Sequence, residues 1–154
     1  MSFEQNNFQS VEANMEAVSD REGKIEFFYD TKTPGALGGS TIRERTPKEK
    51  KEVNSVRLST YVNQEVDFLK LDVEGAELGV IQELSKSAKL KYMKQIAIEY
   101  HHHIIRDQDV LSQILGTLEN SGFGYQISGE LRRPLERQKF QDILIYAYRK
   151  GAAA

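Results

Sequence analysis

Residues 66–77 read VDFLKLDVEGAE, and this segment carries the clearest structural pattern of the 154-residue chain. A largely apolar run is followed by two acidic residues, a glycine and the start of an amphipathic segment, which predicts a strand leading into a helix. In an open α/β sheet, ligands bind where parallel strands end and helices begin. The acidic residues that follow this strand are therefore expected to face a ligand.

The segments that follow alternate between strand and helix patterns. We predict one strand over Val66–Val73 and a second over Gln95–Tyr100. The helix between them has an apolar face made by Leu78, Ile81 and Leu84, at near-helical spacing. This strand–helix–strand order is typical of a parallel sheet with a helical crossover.

A second helix is predicted from an apolar face made by Val110, Leu111, Ile114, Leu115 and Leu118. Asp107 or Asp109 can cap this helix, and Gly122 is suited to end it. Two final strands are predicted over Tyr125–Ser128 and Asp142–Tyr148. The polar connection between them (residues 129–139) is too short and irregular for a crossover helix, so we expect this pair to be antiparallel.

The first third of the chain also has strand patterns, over Phe8–Val18, Ile25–Tyr29 and Val53–Leu58. Between the last two lies a polar segment rich in glycine and proline, Thr31–Lys51, which predicts a long loop. Such a loop is a candidate lid over a binding site. Together these elements predict a single α/β domain over residues 1–150, with residues 151–154 as a tail. We expect three layers and a mostly parallel sheet with an antiparallel final strand.

Composition narrows the class of protein. The net charge is -2, which gives no reason to expect a nucleic-acid partner. The chain has no cysteine, so disulfides and thiolate metal sites are excluded. No apolar run approaches membrane-spanning length, and the first residues lack the pattern of a signal peptide. A cytoplasmic location without membrane association is the expectation that follows.

Asp72 and Glu74 are the first candidates for chemistry. They lie two residues apart, so on an extended strand their side chains point to the same side. A carboxylate that closes an apolar strand needs a partner, which favours a binding or catalytic role for Asp72. Capping of the following helix is the alternative, and it is the interpretation that we favour for Glu77.

The second strand ends in the run Glu99-Tyr100-His101-His102-His103. An unperturbed histidine pKa of ~6.5 suits a general base near neutral pH, so we consider His101 as the base and Glu99 as the residue that orients it. A hydrogen bond from His101 to the backbone is an equal alternative. The histidines, with Glu99 or Asp72, can also bind a divalent metal. Because histidine runs are more often solvated or packed, no metal site is assigned.

The segment over residues 69–77, LKLDVEGAE, also closely resembles the signature of the FkbM-type methyltransferases. Residues 17–25 (AVSDREGKI), 56–61 (VRLSTY) and 96–101 (IAIEYH) are similar to other segments of that family, so the resemblance extends over Glu16–Arg149. It implies a class I, Rossmann-like methyltransferase that transfers a methyl group from S-adenosylmethionine to a hydroxyl of a small molecule or sugar. The family's glycine-rich first motif is absent, so we expect an N-terminally truncated form of that fold.

The resemblance implies roles for individual residues. The position of Asp72 lies beside the methionine part of the cofactor and the acceptor in related enzymes, and Glu74 takes part in positioning. Glu16 and Ala17 correspond to a strand end against the adenine ring, whereas the sequence alone suggests an ordinary exposed glutamate at Glu16. A truncated domain that acts without catalysis, by partner binding or by self-association through an exposed sheet edge, is the alternative function. A histidine-based metal-binding domain is a third.

Overall fold

The structure is a computed structural model, and it describes residues 10–30, 39–45, 49–105, 108–129 and 141–151. Within these ranges the chain forms two β-sheets and two α-helices. No helix in them is long and apolar enough to cross a membrane.

The strands, in chain order, are β1 (Ala17–Ser19), β2 (Gly23–Tyr29), β3 (Glu49–Arg57), β4 (Val66–Leu71), β5 (Met93–His102), β6 (Phe123–Gly129) and β7 (Gln141–Arg149). The helices are α1 (Glu77–Lys86) and α2 (Leu111–Asn120). Single 3₁₀ turns precede β4 and β5, at Leu58–Thr60 and Leu90–Tyr92.

The smaller sheet has the strand order β1-β3-β2, with β1 parallel and β2 antiparallel to β3. A buried hydrogen bond of 2.6 Å joins the hydroxyls of Ser19 and Ser55 where β1 meets β3. Phe28 of β2 also pairs with Ser40 in an isolated antiparallel bridge, which brings residues 39–45 alongside this sheet.

The larger sheet has the order β4-β5-β7-β6. Its β4 and β5 are parallel and are connected through α1, as the strand–helix–strand pattern predicted. The final strand β7 is antiparallel to both β5 and β6, so the predicted antiparallel closing pair is confirmed.

The apolar core lies between this sheet and the two helices. The predicted stripe of α1 is confirmed in part: Ile81 and Leu84 are fully buried, and Leu78 packs against the core at its margin. Ile114 and Leu118 of α2 are likewise fully buried. They meet the sheet residues Leu71, Ile96, Ile98, Ile145 and Ala147.

The prediction of a three-layer, mostly parallel, Rossmann-like sheet is wrong. The structure has two separate mixed sheets, and antiparallel pairings outnumber parallel ones among the described strands. Helices α1 and α2 contact each other and bury the same face of the larger sheet. The opposite face is uncovered in the described part, where Phe68, Leu144, Tyr146 and Tyr148 are exposed. A period of two or 3.6 residues shows that an element has a buried face, but not on which side of a sheet a helix packs.

Several predicted boundaries also differ. Strand β1 begins at Ala17 rather than near Phe8, because Ser10–Glu16 form no ladder and residues 1–9 lie outside the described ranges. Strand β3 begins at Glu49, inside the predicted loop, because its first residues pair with β2. The rest of that loop is described only over residues 39–45, so its role as a lid stays a prediction.

The predicted start of α2 is wrong in its capping residue, whereas its predicted end is correct. Asp109 does not cap the helix, because the N-cap residue is Val110 and no side chain bonds there; Asp107 lies outside the described residues. Gly122 does end the helix as predicted, with a φ of 84° that favours glycine. The polar connection before β7 lies outside the described residues from 130 to 140.

Candidate active site at the ends of β4 and β5

A tight turn separates β4 from α1. Glu74 and Gly75 both have positive φ, of 51° and 108°, and the Ala76 N–H donates to the Val73 carbonyl at 3.4 Å. Two successive left-handed residues are typical of a type I′ turn, in which a non-glycine residue such as Glu74 carries backbone strain. The turn holds the Glu74 side chain above the end of the sheet instead of letting it continue along the strand.

His101, near the end of β5, occupies the centre of the acidic cluster. Its side chain is 3% exposed, and its Nδ1 lies 2.9 Å from a carboxylate oxygen of Glu77, which is itself 1% exposed. The other ring nitrogen, Nε2, lies 3.2 Å from Glu74. Asp72 and Asp142 follow at 3.9 and 4.0 Å from the same nitrogen. Four carboxylates from two segments of the chain thus surround one imidazole.

This arrangement changes the pKa of His101. Burial lowers the pKa, but the hydrogen bond to Glu77 and the charges of Glu77, Glu74 and Asp142 outweigh burial, so the pKa is raised above its ordinary value of 6.5. The imidazolium is therefore the favoured form over a wider pH range than in a free histidine. Because Glu77 accepts from Nδ1, the neutral ring would carry its lone pair on Nε2.

Residues 39–45 support the turn from the side of the smaller sheet. Arg45 Nε lies 2.6 Å from the Glu74 carboxylate, and the hydroxyl of Ser40, which is buried, donates to the Glu74 carbonyl at 2.6 Å. The Gly75 N–H in turn donates to Glu77 at 2.8 Å. Hydrogen bonds to both the backbone and the side chain therefore stabilise the strained conformation of Glu74.

Lys70 connects the ends of the two parallel strands. Its Nζ lies 2.8 Å from Glu99 on β5 and 3.2 Å from Asp72 just beyond β4. Burial lowers the pKa of Lys70, but the hydrogen bonds to Glu99 and Asp72 outweigh it, so the pKa is raised and the ammonium is maintained. Both carboxylates are held by this charge at the exposed side of the cluster.

The structure brings three of the predicted site residues together: Asp72, Glu74 and His101. Glu99 is near, since its carboxylate lies within 4.8 Å of donor atoms of His101 and Asp142, but its hydrogen bond is to Lys70. The partner of His101 Nδ1 is instead Glu77, which the sequence suggested only as a helix-terminal charge. A signal was present, since Glu77 belongs to the same acidic motif as Asp72. No sequence pattern marked Ser40, Arg45 or Asp142 as part of this site, because only the tertiary fold brings them here.

Glu16 and Ala17 lie in a different place. They line a pocket of about 200 Å³ together with Phe27, Lys51 and Val53. The carboxylate of Glu16 is exposed and accepts a hydrogen bond from the Tyr61 hydroxyl at 2.5 Å. No hydrogen bond or ion pair between described residues joins this pocket to Asp72, and a role in cofactor binding stays a prediction for both residues.

A larger cleft, of about 690 Å³, lies beside the acidic cluster. It runs between β2, residues 41–42 and the first turn of α1, and Gly75 and Ala76 of the turn form part of its wall. Charged side chains line it as well: Asp20, Arg21, Lys24 and Glu26. Its volume is in the range of sites for small molecules and cofactors.

Comparison with known proteins gives the family. The sequence model of the methyltransferase FkbM domain matches residues 2–127, which is most of the chain. The chain therefore belongs to the FkbM methyltransferase domain family. The resemblance seen in residues 69–77 is thereby confirmed.

One solved structure is similar, the crystal structure of methyltransferase FkbM from Methylobacillus flagellatus KT. The similarity has 22% sequence identity and a TM-score of 0.40. It covers 63% of this chain but 24% of that one, so the chain matches about a quarter of the length of that protein. No curated protein matches the sequence.

Proposed function

We propose that this chain takes part in S-adenosylmethionine-dependent methyl transfer to a hydroxyl group of a small molecule or sugar. Membership of the FkbM family supports methyl transfer in general. The observation that carries the finer proposal is the buried pair that His101, near the end of β5, makes with Glu77, the first residue of α1. A histidine oriented by a carboxylate is the usual arrangement for removing a proton from a hydroxyl.

The residues present suit the proposed cofactor. S-adenosylmethionine carries a cationic amine and a sulfonium, and the carboxylate of Asp72 is only partly covered at the exposed side of the cluster. Asp72 would hold the amine, with Glu74 beside it, and the 690 Å³ cleft next to them, whose wall includes Gly75 and Ala76, offers room for the rest of the molecule. When bound, the cofactor supplies an electrophilic methyl group.

The chain's own residues would prepare the acceptor. Glu77 accepts the Nδ1 proton of His101, so the neutral ring would carry its lone pair on Nε2, which the acceptor hydroxyl would have to reach beside Glu74. After the proton reaches Nε2, the carboxylate of Glu74 at 3.2 Å stabilises the imidazolium. Lys70 would keep Asp72 and Glu99 in position without contacting the proton.

We expect Asp72→Asn to weaken the binding of S-adenosylmethionine by about tenfold to a hundredfold. This corresponds to the ~1.5–3 kcal/mol typical of a hydrogen bond to a charged group. Calorimetric titration with the cofactor measures it. Asp67→Asn is the matched control, because Asp67 belongs to β4 but its side chain is exposed and pairs with Lys94.

Equal affinities for the two variants, with both chains folded by circular dichroism, would contradict the role of Asp72. Absence of binding by the unaltered folded chain would contradict cofactor binding by this chain. A screen of hydroxylated acceptors, with labelled cofactor and with His101→Gln as the inactive comparison, then tests the reaction class.

A second candidate function, partner binding without catalysis, is favoured by the uncovered face of the larger sheet. Phe68 is 53% exposed there, and Leu144, Tyr146 and Tyr148 lie on the same face by the strand register. Contiguous exposed apolar side chains are typical of surfaces that another molecule covers. We propose self-association as the form that this function would take.

A further inference from the structure

The histidine run divides between two sites. His101 turns into the acidic cluster, whereas His102 and His103 both face Asp109, the residue that precedes the N-cap of α2. His103 Nε2 lies 2.8 Å and His102 Nε2 3.5 Å from the same Asp109 oxygen. Two imidazoles and one carboxylate therefore converge from separate elements of the fold.

An unusual backbone conformation makes this convergence. Consecutive residues of an extended strand point to opposite sides, so His102 and His103 would normally face apart. The strand ends at His102, and His103 adopts a left-handed conformation with a φ of 63°. As a result the two rings lie side by side, with their centroids 3.6 Å apart. Residues in this conformation cluster at ligand-binding and active sites, although histidine adopts it more readily than most residues.

We propose that His102, His103 and Asp109 bind a divalent transition-metal ion of the zinc class. One donor atom from each residue lies within 4.8 Å of the others. Around a tetrahedral ion with bonds of ~2 Å, ligand atoms are separated by roughly 3.3 Å. The observed separations of 2.8 and 3.5 Å from Asp109 bracket that distance, so small side-chain rotations suffice for binding.

Tyr100 supports the proposed ligand His102. The Tyr100 hydroxyl lies 3.0 Å from His102 Nδ1, and the Val110 N–H donates to the same hydroxyl at 3.3 Å. Tyr100 is buried and belongs to β5, while Val110 follows Asp109. Metal-binding histidines typically have their second ring nitrogen held in this way, which fixes the ring and directs the other nitrogen to the ion.

Charge distinguishes this site from the acidic cluster. Cationic side chains of the chain already contact the acidic cluster: Arg45 pairs with Glu74, and Lys70 is shared between Asp72 and Glu99. In contrast, no lysine or arginine of the described residues contacts Asp109. Two neutral imidazoles and one carboxylate leave a net negative charge that suits a divalent cation, and imidazole favours zinc, nickel or copper.

The geometry also defines an open coordination sphere. Three protein ligands leave a fourth position for water or another ligand. The side chain of Asp109 is 68% exposed, which gives an ion direct access from solvent. Because the ligands lie at the end of β5 and just before α2, a bound ion would link these two elements and stabilise the folded chain.

The test is calorimetric titration of the chelator-treated full chain with zinc chloride, together with thermal unfolding with and without the ion. We expect one ion per chain and a higher unfolding temperature in its presence. His103→Asn removes the imidazole while keeping a residue that tolerates positive φ, and Asp109→Asn removes the charge. Each removes a proposed ligand, so each should weaken zinc binding by more than the roughly tenfold to hundredfold that loss of an outer-shell partner costs.

Two variants serve as controls. Asp67→Asn removes an exposed carboxylate elsewhere, and His101→Gln removes the remaining histidine of the chain; both should retain zinc binding. The proposal is overturned if the unaltered chain binds no zinc, if His103→Asn and Asp109→Asn bind it as well as the unaltered chain does, or if only His101→Gln abolishes binding. Side-chain NMR of the histidine nitrogens should show shifts at residues 102 and 103 alone.

Discussion

At the scale of single residues, the proposed role of His101 depends on how its ring is held. Its ring is buried against Glu77 and Glu74, and the positive charge it acquires is stabilised by both. The pKa of His101 is raised despite burial, which by itself would lower it. A base with a raised pKa accepts a proton readily but must first lose the one it carries, so the proposed role as a base requires a higher pH than a histidine with an ordinary pKa would.

We predict a pH-dependent contribution of His101 to stability. Because its pKa in the folded chain lies above the ordinary 6.5, the charged pair stabilises the fold fully below about pH 6.5. That contribution disappears as the pH rises through the raised pKa. The difference in unfolding free energy between the unaltered chain and His101→Gln should therefore be larger at pH 6 than at pH 9, as measured by urea denaturation.

Glu77→Gln provides the matching comparison, because it removes the main partner of the imidazolium. The pH dependence attributed to His101 should be much smaller in this variant. A difference between the unaltered chain and His101→Gln that is the same at both pH values would show that His101 contributes by packing rather than by charge.

At the scale of elements, the turn between β4 and α1 determines where the acidic side chains lie. Gly75 has a φ of 108°, and a Cβ placed there would lie 2.7 Å from the end of the Ile42 side chain and 2.9 Å from that of Ile104. Only glycine satisfies both the backbone angle and the space. The turn is formed by consecutive residues, but residues 39–45 and the segment after β5 limit which residue can occupy position 75.

We predict that Gly75→Ala destabilises the chain by about 1–3 kcal/mol, through strain at positive φ and contact with Ile42 and Ile104. Gly116→Ala is the matched control, because Gly116 lies inside α2 and nothing lies within 4 Å of the added Cβ. That change should stabilise by about 0.5–1 kcal/mol, the difference in helix propensity. Urea denaturation measures both, and a loss of stability in Gly116→Ala as large as that in Gly75→Ala would contradict the argument.

At the scale of the whole molecule, the helices cover one face of the larger sheet, and among the described residues nothing covers the other. The register places Phe68, Leu144, Tyr146 and Tyr148 on the uncovered face. Ile127 is also exposed, but it lies opposite Ile145 and therefore on the helix side. Exposed apolar residues therefore occur on both faces: four lie on the uncovered face, and Ile127 lies on the face that the helices cover.

We predict that the chain associates with a second copy through the uncovered face. The double change Phe68→Ser with Leu144→Ser should shift the sedimentation of the chain towards that of a monomer, whereas Ile127→Ser should leave it unchanged. A chain that is already monomeric at high micromolar concentration would contradict self-association and leave partner binding to a different molecule.

The sequence by itself determined the family, the strand–helix–strand unit of β4, α1 and β5, the antiparallel final strand, and the convergence of Asp72, Glu74 and His101. The family follows from the resemblance carried by residues 69–77. The elements and the convergence follow from local periodicity and from the rule that neighbouring parallel strands end at the same edge. Tertiary structure alone decided the partner of His101, the support from residues 39–45, the division of the histidine run and the side on which both helices pack. The physical reason is that periodicity records which residues are buried but not what they are buried against, so contacts between segments far apart in sequence leave no local pattern.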